Sequence, residues 1–374
     1  MFIKILFVSV LALAGCLKAE VVIDLPTPDL SDANILYTSA GLRPYRKSGI
    51  RLEVEKMNDK VLIHDYGHGG AGISLSWGCA QEALKLMEQY VSNKQSPIAV
   101  IGAGAIGLAT AHLLKDCGYT VNVYSKEFVP NTTSNKAAGM FSPNFRMQTQ
   151  DCEQFERIKK ISYDKFYQCA TGATPEFQGV FLRPAYSIKE EEKTNFSVEV
   201  RMNGVTKVCK KQEFLVFDLN IYLSDVFTQA QKKGVVFHQK NIRSKVELLD
   251  MQEAIIFNCT GLGSRELFQD ADLVPVKGHL IAFRRAPEID YILFDSKHQT
   301  SDLFFSLIPW ESQLILGGTL EEGIEDPSVD SEMTLRLLQG ARDFLIFNSP
   351  YAPAGGGQMN LLNLNLSEQF HEEL

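Results

Sequence analysis

The run Ile98-Ala99-Val100-Ile101-Gly102-Ala103-Gly104-Ala105-Ile106-Gly107 decides the fold. Four apolar residues read as a buried strand. The glycines at 102, 104 and 107 open a helix predicted over 106–116. Gly118 stops it, and Thr120-Val121-Asn122-Val123-Tyr124 is the next strand. Strand, glycine loop and helix in this order form a dinucleotide-binding βαβ unit. Gly102 permits the tight turn, Gly104 lets the backbone reach a diphosphate, and Gly107 lets helix and strand pack closely. The diphosphate is expected on the helix N-terminus, at Ala105 and Ile106, where free N–H groups and the helix dipole favour anions. The loop alone does not separate one dinucleotide from another.

Further from this unit, the composition sets bounds. The chain has 374 residues, 45% of them hydrophobic, enough for two joined domains. The net charge is -8 and there is no basic stripe with interleaved aromatics, so nucleic acid is not an expected partner. Lys4 followed by the short apolar stretch from Ile5 to Ala14 reads as a signal peptide over 1–19. The stretch is too short to span a bilayer comfortably. Leu13-Ala14-Gly15-Cys16 resembles the lipobox of bacterial lipoproteins. It predicts export to the periplasm or the membrane surface, with lipid on Cys16 as the only membrane contact. Cleavage near Ala19 and secretion is the alternative. The seven cysteines show neither zinc spacing nor a CxxC pair. Cys79, Cys117 and Cys259 read as core thiols, and no metal site is expected.

Several further motifs surround the βαβ unit. Upstream lie Gly41-Leu42-Arg43-Pro44, Ile50-Arg51-Leu52-Glu53 and the loop Gly67-His68-Gly69-Gly70-Ala71-Gly72, after a strand at 61–64 and before a helix from Ser76 to Tyr90. Downstream lie Thr132-Thr133-Ser134, Ala137-Ala138-Gly139-Met140, Asn258-Cys259-Thr260-Gly261 and Leu316-Gly317-Gly318-Thr319. Together these are similar to the D-amino-acid oxidase family, across roughly residues 40 to 320. In that family the GLRP, IRLE and HNYGHGG series lies near the C-terminus. Here it precedes the glycine loop, as in a circular permutation, with 91–96 as the link between the old chain ends.

The resemblance implies an α/β (α+β) fold: a Rossmann-like FAD-binding domain (41–150 and 225–273) beside an antiparallel-sheet substrate domain (20–40, 151–224 and 274–350), with 351–374 as a tail. It implies FAD as cofactor. Gly102, Gly104, Ala105, Ile106, Gly107, Thr132, Thr133, Ser134, Ala138, Gly139, Met140, Ile242, Cys259, Thr260 and Gly261 would hold it. Gly69, Ala71, Gly72, Ile73 and Ser74 would reach the flavin. The family's ribose-binding carboxylate has no clear counterpart: Lys126 falls at its position, and Glu127 is the substitute. His64 and His68 are expected to be structural.

Arg43 matches the family position that holds the substrate carboxylate, a bidentate task suited to a guanidinium. An ion pair with Glu53 or Glu55 is its alternative role. Gly70 matches the position whose carbonyl accepts a hydrogen bond from the substrate amine. Ser306 stands where the family has a tyrosine. The implied reaction is oxidative deamination of D-amino acids, with oxygen as acceptor, to 2-oxo acids, ammonia and hydrogen peroxide. His279, Arg284 or Arg285 would favour acidic substrates if they faced the site. Three alternatives stand: an oxidase or dehydrogenase of glycine, D-aspartate-like or secondary amines; an exported flavin-binding protein without turnover; and an N-terminal arm swapped between two subunits. The oligomeric state is open.

Overall fold

The computed structural model describes residues 22–91, 93, 95–143, 152–174, 176–188, 197–295 and 302–347. The expected signal segment with Cys16, and the 351–374 tail, lie outside the described residues.

Six strands form one sheet in the order Val236–Gln239, Val121–Ser125, Ile98–Ile101, Ile255–Asn258, Lys60–Tyr66 and Arg51–Met57. All neighbours run parallel except the last pair. A parallel sheet covered on both faces needs near-continuous apolar strands. Ile98 to Ile101 and Ile255 to Phe257 supply them, all buried. On one face, the helices Gly72–Glu88 and Ala105–Asp116 pack Leu84, Met87, Leu108 and Ala111 with Ile63, Val100, Val123 and Phe257. On the other, Leu248 and Leu267 of the short helices Lys245–Leu249 and Gly263–Phe268 meet Leu62, Ala99, Ile101 and Ile256.

A ten-stranded sheet stands beside it, in the order Val22–Asp24, Ser197–Met202, Val205–Phe217, Val180–Ile188, Ile292–Asp295, Leu303–Pro309, Leu314–Thr319, Leu273–Phe283 and Glu321–Glu322. Ile35–Arg46 pairs along Leu273–Phe283. Leu280, Ala282, Ile308, Trp310 and Ile315 face the core shared with the six-stranded sheet. Ile281, Phe283, Leu307 and Leu316 face the opposite way, against Leu337, Leu338 and Ala341 of the helix Ser331–Phe347. This alternation is the period of two that a sheet with both faces covered requires.

The α/β architecture agrees with the sequence reading, with four differences. The strand Ile35–Arg46 runs through the boundary expected at residue 41, so Gly41 to Arg46 belong to the large sheet. Pro44 is tolerated on this outer strand, and its carbonyl accepts from the Gly69 N–H rather than from a further strand. The large sheet is mixed, with two parallel pairs, rather than purely antiparallel. The helix expected from Ser76 starts at Gly72, and no side chain caps it. Cys117 is exposed just past the end of its helix, whereas Cys79 and Cys259 are buried as expected.

The N-terminal strand is joined to the rest of its sheet by more than backbone. The Asn258 amide donates to His64 Nδ1 (3.0 Å), and His64 Nε2 lies 3.1 Å from Glu55 Oε2. This is the pattern of a neutral ring protonated on Nε2. Burial, reinforced by the Arg51 charge, pushes the His64 pKa down to about 4, against the opposing pull of Glu55. Between pH 6.5 and about 4 the unfolded chain therefore binds a proton that the folded chain refuses. Stability from this group is fully present above 6.5 and lost as pH falls towards 4. The loss is on the order of 3 kcal/mol. Denaturant melts of the parent and of His64→Gln across this range should show the step in the parent and a shallower one in the variant. Equal slopes would remove His64 as its source.

Candidate active site

The glycine loop meets its neighbours at backbone distance. A Cβ on Gly102 would lie 2.4 Å from the Cys259 carbonyl oxygen, and one on Gly107 would lie 1.9 Å from the Gly102 carbonyl oxygen. Gly102 also has a φ of +103°, open to glycine at no steric cost. The helix Ala105–Asp116 has no side-chain cap at Gly104. Instead, the Ala105 N–H donates to Ser134 Oγ (3.0 Å). The Thr132-Thr133-Ser134 segment is thus brought to the helix N-terminus. Thr132 is buried and bonded to Asn135, and Thr133 is exposed. Ile106 is half-buried in the first helical turn.

A cavity of about 570 Å³ extends from this loop. Gly102, Ile242 and Thr260 line it, with Leu42, Tyr124 and Ser125. Lys126 lines it and Glu127 does not. Glu127 is exposed, and its backbone carbonyl accepts the Ser125 hydroxyl (2.7 Å). Glu127 thus lies outside the cavity wall, one residue beyond Lys126. Lys240, Arg243 and Arg265 also line the cavity and escaped the sequence reading. They follow no motif and meet only through the fold.

Asn258 stood in its motif without an expected role of its own. Its Oδ1 accepts from the Thr260 hydroxyl (2.9 Å) and its amide donates to Ser264 Oγ (3.0 Å), which shapes the Cys259-Thr260-Gly261 turn. The available signal was a polar residue closing the apolar run Ile255 to Phe257. Gly261 sits in the turn with φ +57°, against Pro44.

The second glycine loop reaches the 138–142 segment. Ser74 Oγ accepts from the Ser142 N–H (2.8 Å) and lies 3.4 Å from the Met140 carbonyl. Gly69 and Gly70 have positive φ, and the buried Ala71 leads into the helix through Gly72 and the buried Ile73. The Ala138 carbonyl accepts from the Trp310 indole (3.0 Å), and the Gly139 carbonyl from the Phe217 N–H (2.8 Å). The Gly69 N–H donates to the Pro44 carbonyl (2.8 Å), which ties this loop to the strand that carries Arg43.

Arg43 Nη1 donates to the carbonyls of Thr319 (3.0 Å) and Lys277 (3.3 Å). Its guanidinium lies over Gly278, where a Cβ would be 2.1 Å from Nη1. Glu53 and Glu55 are taken by Arg51 instead. Ser306 Oγ donates to the Gly317 carbonyl (3.1 Å). A Cβ on Gly317 would stand 3.5 Å from Ser306 Oγ and 3.7 Å from Ala138 Cβ. Gly278 shares its face with Leu280, so Arg43, Ser306 and Ala138 all lie on the side turned towards the nucleotide sheet. Gly70 is exposed, with φ +114°.

His279 points the other way. It is buried against Thr319, with Nδ1 3.0 Å from Glu321 and Nε2 accepting from the Asp330 N–H. Arg285 is held by Asp290 and Glu311. His279 faces away because successive residues of a strand face opposite sides, and Arg285 lies beyond the end of that strand at Phe283.

Two backbone-lined glycine loops, a serine bonded to the helix N-terminus and a guanidinium on the sheet face turned towards them make up the candidate site of a dinucleotide-dependent oxidoreductase. The chain matches the family of FAD dependent oxidoreductases, DAO, over residues 97–218 and 215–354, and it belongs to that family. It is 27% identical over 251 residues to a D-amino-acid oxidase of Dictyostelium discoideum, covering 60% of this chain and 66% of that one. It is 29% identical over 261 residues to human D-aspartate oxidase, covering 64% and 73%. Among solved structures it resembles glycine oxidase of Bacillus cereus, with a TM-score of 0.51 and 18% identity over 66% of this chain and 77% of that one.

FAD is the cofactor, and the residues fit it: no side chain could be added at Gly102 or Gly107 without collision, and the helix N-terminus offers donors to a diphosphate. A Gly107→Ala substitution would force the helix off its loop, at a cost of about 2 kcal/mol. The purified variant should melt lower and carry less than a tenth of the parent's flavin per chain. Full flavin content would remove this close approach as a requirement.

Proposed function

We propose that the chain oxidatively deaminates D-amino acids to 2-oxo acids and ammonia, with oxygen as final acceptor. The observation that carries this reading is Arg43, whose guanidinium lies on the sheet face turned towards the flavin-binding loops. Gly278 makes room for it, and two carbonyls hold it in place. A planar fork can bind a carboxylate through two parallel hydrogen bonds, which fixes the substrate's α-carbon. The Gly70 carbonyl, on a loop tied to the same strand, is the acceptor for the substrate amine. Bound FAD supplies the hydride acceptor. No side-chain base is required when the amine enters neutral, so orientation by Arg43 and Gly70 supplies most of the rate.

The D-amino-acid and D-aspartate oxidase relatives support this substrate class. Ser306 favours a second reading, a glycine-like or secondary amine substrate. Its hydroxyl is spent on the Gly317 carbonyl, so it supplies no second carboxylate donor of the kind expected from a tyrosine.

The test is an anaerobic flavin spectrum titrated with D- and L-amino acids, glycine and sarcosine. Loss of the yellow absorbance with D-amino acids alone supports the leading reading. Bleaching by glycine or sarcosine alone supports the second, and retained FAD with no bleaching overturns both. In Arg43→Lys, kcat/KM should fall about 10- to 100-fold, the worth of one or two charge-assisted hydrogen bonds.

We further propose that the chain is a circular permutation of the family fold. The family match begins at residue 97, while the strand Lys60–Tyr66 completes the nucleotide sheet beside Ile255–Asn258. A chain with 20–93 moved behind residue 347 through a short linker should fold and bind FAD. Failure to bind, by a chain that folds, would overturn the proposal.

A further inference from the structure

Beneath the second glycine loop lies a polar cluster that the proposed reaction does not use. Asp65 is next to last in the strand Lys60–Tyr66, His68 stands in the loop, and Cys79 lies two turns into the helix Gly72–Glu88. All three are buried, Asp65 and Cys79 completely. One ligand atom from each lies within 4.8 Å of the other two. His68 Nε2 stands 3.3 Å from Asp65 Oδ1. Yet Asp65 Oδ1, Asp65 Oδ2 and His68 Nε2 have no hydrogen-bond partner among the described residues. Buried polar atoms are almost always paired, and a carboxylate with both oxygens bare is the costliest exception. An Asp65 oxygen and a His68 ring nitrogen brought within reach of one thiol call for a common partner.

We propose that Asp65, His68 and Cys79 bind a divalent transition-metal cation, zinc being the best match. A carboxylate, an imidazole and a thiolate are the donor types of a zinc site. Zinc bond lengths in a tetrahedron put ligand atoms about 3.5 Å apart, which the cluster accommodates. The His68 Nε2 lone pair and one Asp65 oxygen take two positions. The Cys79 sulfur takes a third after its proton leaves to solvent, and water or another donor fills the fourth. The ion would staple the strand end, the loop and the helix together, fixing Gly69 and Gly70 without touching substrate. A second group, His112, Asp116 and Glu176, is a weaker candidate. Lys233 and Lys165 already neutralise its carboxylates, and two of its members reach solvent.

The test uses the full chain with FAD bound, dialysed against zinc and then against metal-free buffer, with elemental analysis. One zinc per chain is expected in the parent and in His112→Asn, and less than a tenth of that in Cys79→Ser and Asp65→Asn. Should the variants fail to fold, the parent loaded with cobalt must show the charge-transfer absorption of a single thiolate. Removing zinc with a chelator should weaken FAD binding at least tenfold. Metal-free parent protein, or zinc retained in folded Cys79→Ser, overturns the proposal. FAD content and substrate bleaching, measured on the same samples, report on the oxidase reading separately.

Discussion

The parallel pairing of Lys60–Tyr66 with Ile255–Asn258 is the contact on which the molecule depends. It joins residues about as far apart in sequence as Val61 and Ile255, with four residue pairs in register. Without it the six-stranded sheet would expose Ile256 and Phe257 along an open edge. The loop that follows Tyr66 would have no fixed position opposite the diphosphate loop. Closing so long a segment costs chain entropy that grows only slowly with length. Burying apolar side chains on both faces of the sheet offsets that cost. Register matters as much as pairing. A slip by one residue would turn Leu62 and Ile63 to the wrong faces and separate His64 from Asn258.

Asn258 links this pairing to the cofactor side. The same side chain bonds His64 on the neighbouring strand and sets the turn that carries Thr260, whose backbone lies against Gly102. A change in strand pairing would therefore be felt at the diphosphate loop through one buried amide. On the substrate side the corresponding link is the Gly69 to Pro44 hydrogen bond. It couples the flavin-side glycine loop to the Arg43 strand, so cofactor and substrate groups are held to one frame.

Where the sequence was legible, chemistry and geometry coincided. The glycines at 102 and 107 could be read because each has a local cause, a positive φ at Gly102 and the Gly102 carbonyl against Gly107, whereas Gly104 meets only Ser134. Arg43 could be read from its motif, yet its surroundings could not. Its seat depends on Gly278 and Thr319, which come from strands far away in the chain. The helix start at Gly72 was hidden because Ala71 offers no capping oxygen. Ser76, which looks like a cap, instead donates its hydroxyl to the Ile73 carbonyl inside the helix. Which of Lys126 and Glu127 lines the cavity was not legible, since a one-residue choice at a strand end turns on where the chain bends. The basic lining from Lys240, Arg243 and Arg265 has no local pattern at all.

That lining bears on how the adenosine end of FAD is held. Four cationic side chains surround a cavity where a single carboxylate was expected, with Glu266 and Glu325 the acids among its walls. Arg265 is paired with Glu325 (3.0 Å), so its charge is largely spent. Lys126 and Lys240 remain as donors that could reach ribose hydroxyls. A carboxylate accepts from those hydroxyls, whereas an ammonium donates to them, and either satisfies a group that is both donor and acceptor. The diphosphate anchor, built from backbone and a helix terminus, does not depend on that choice.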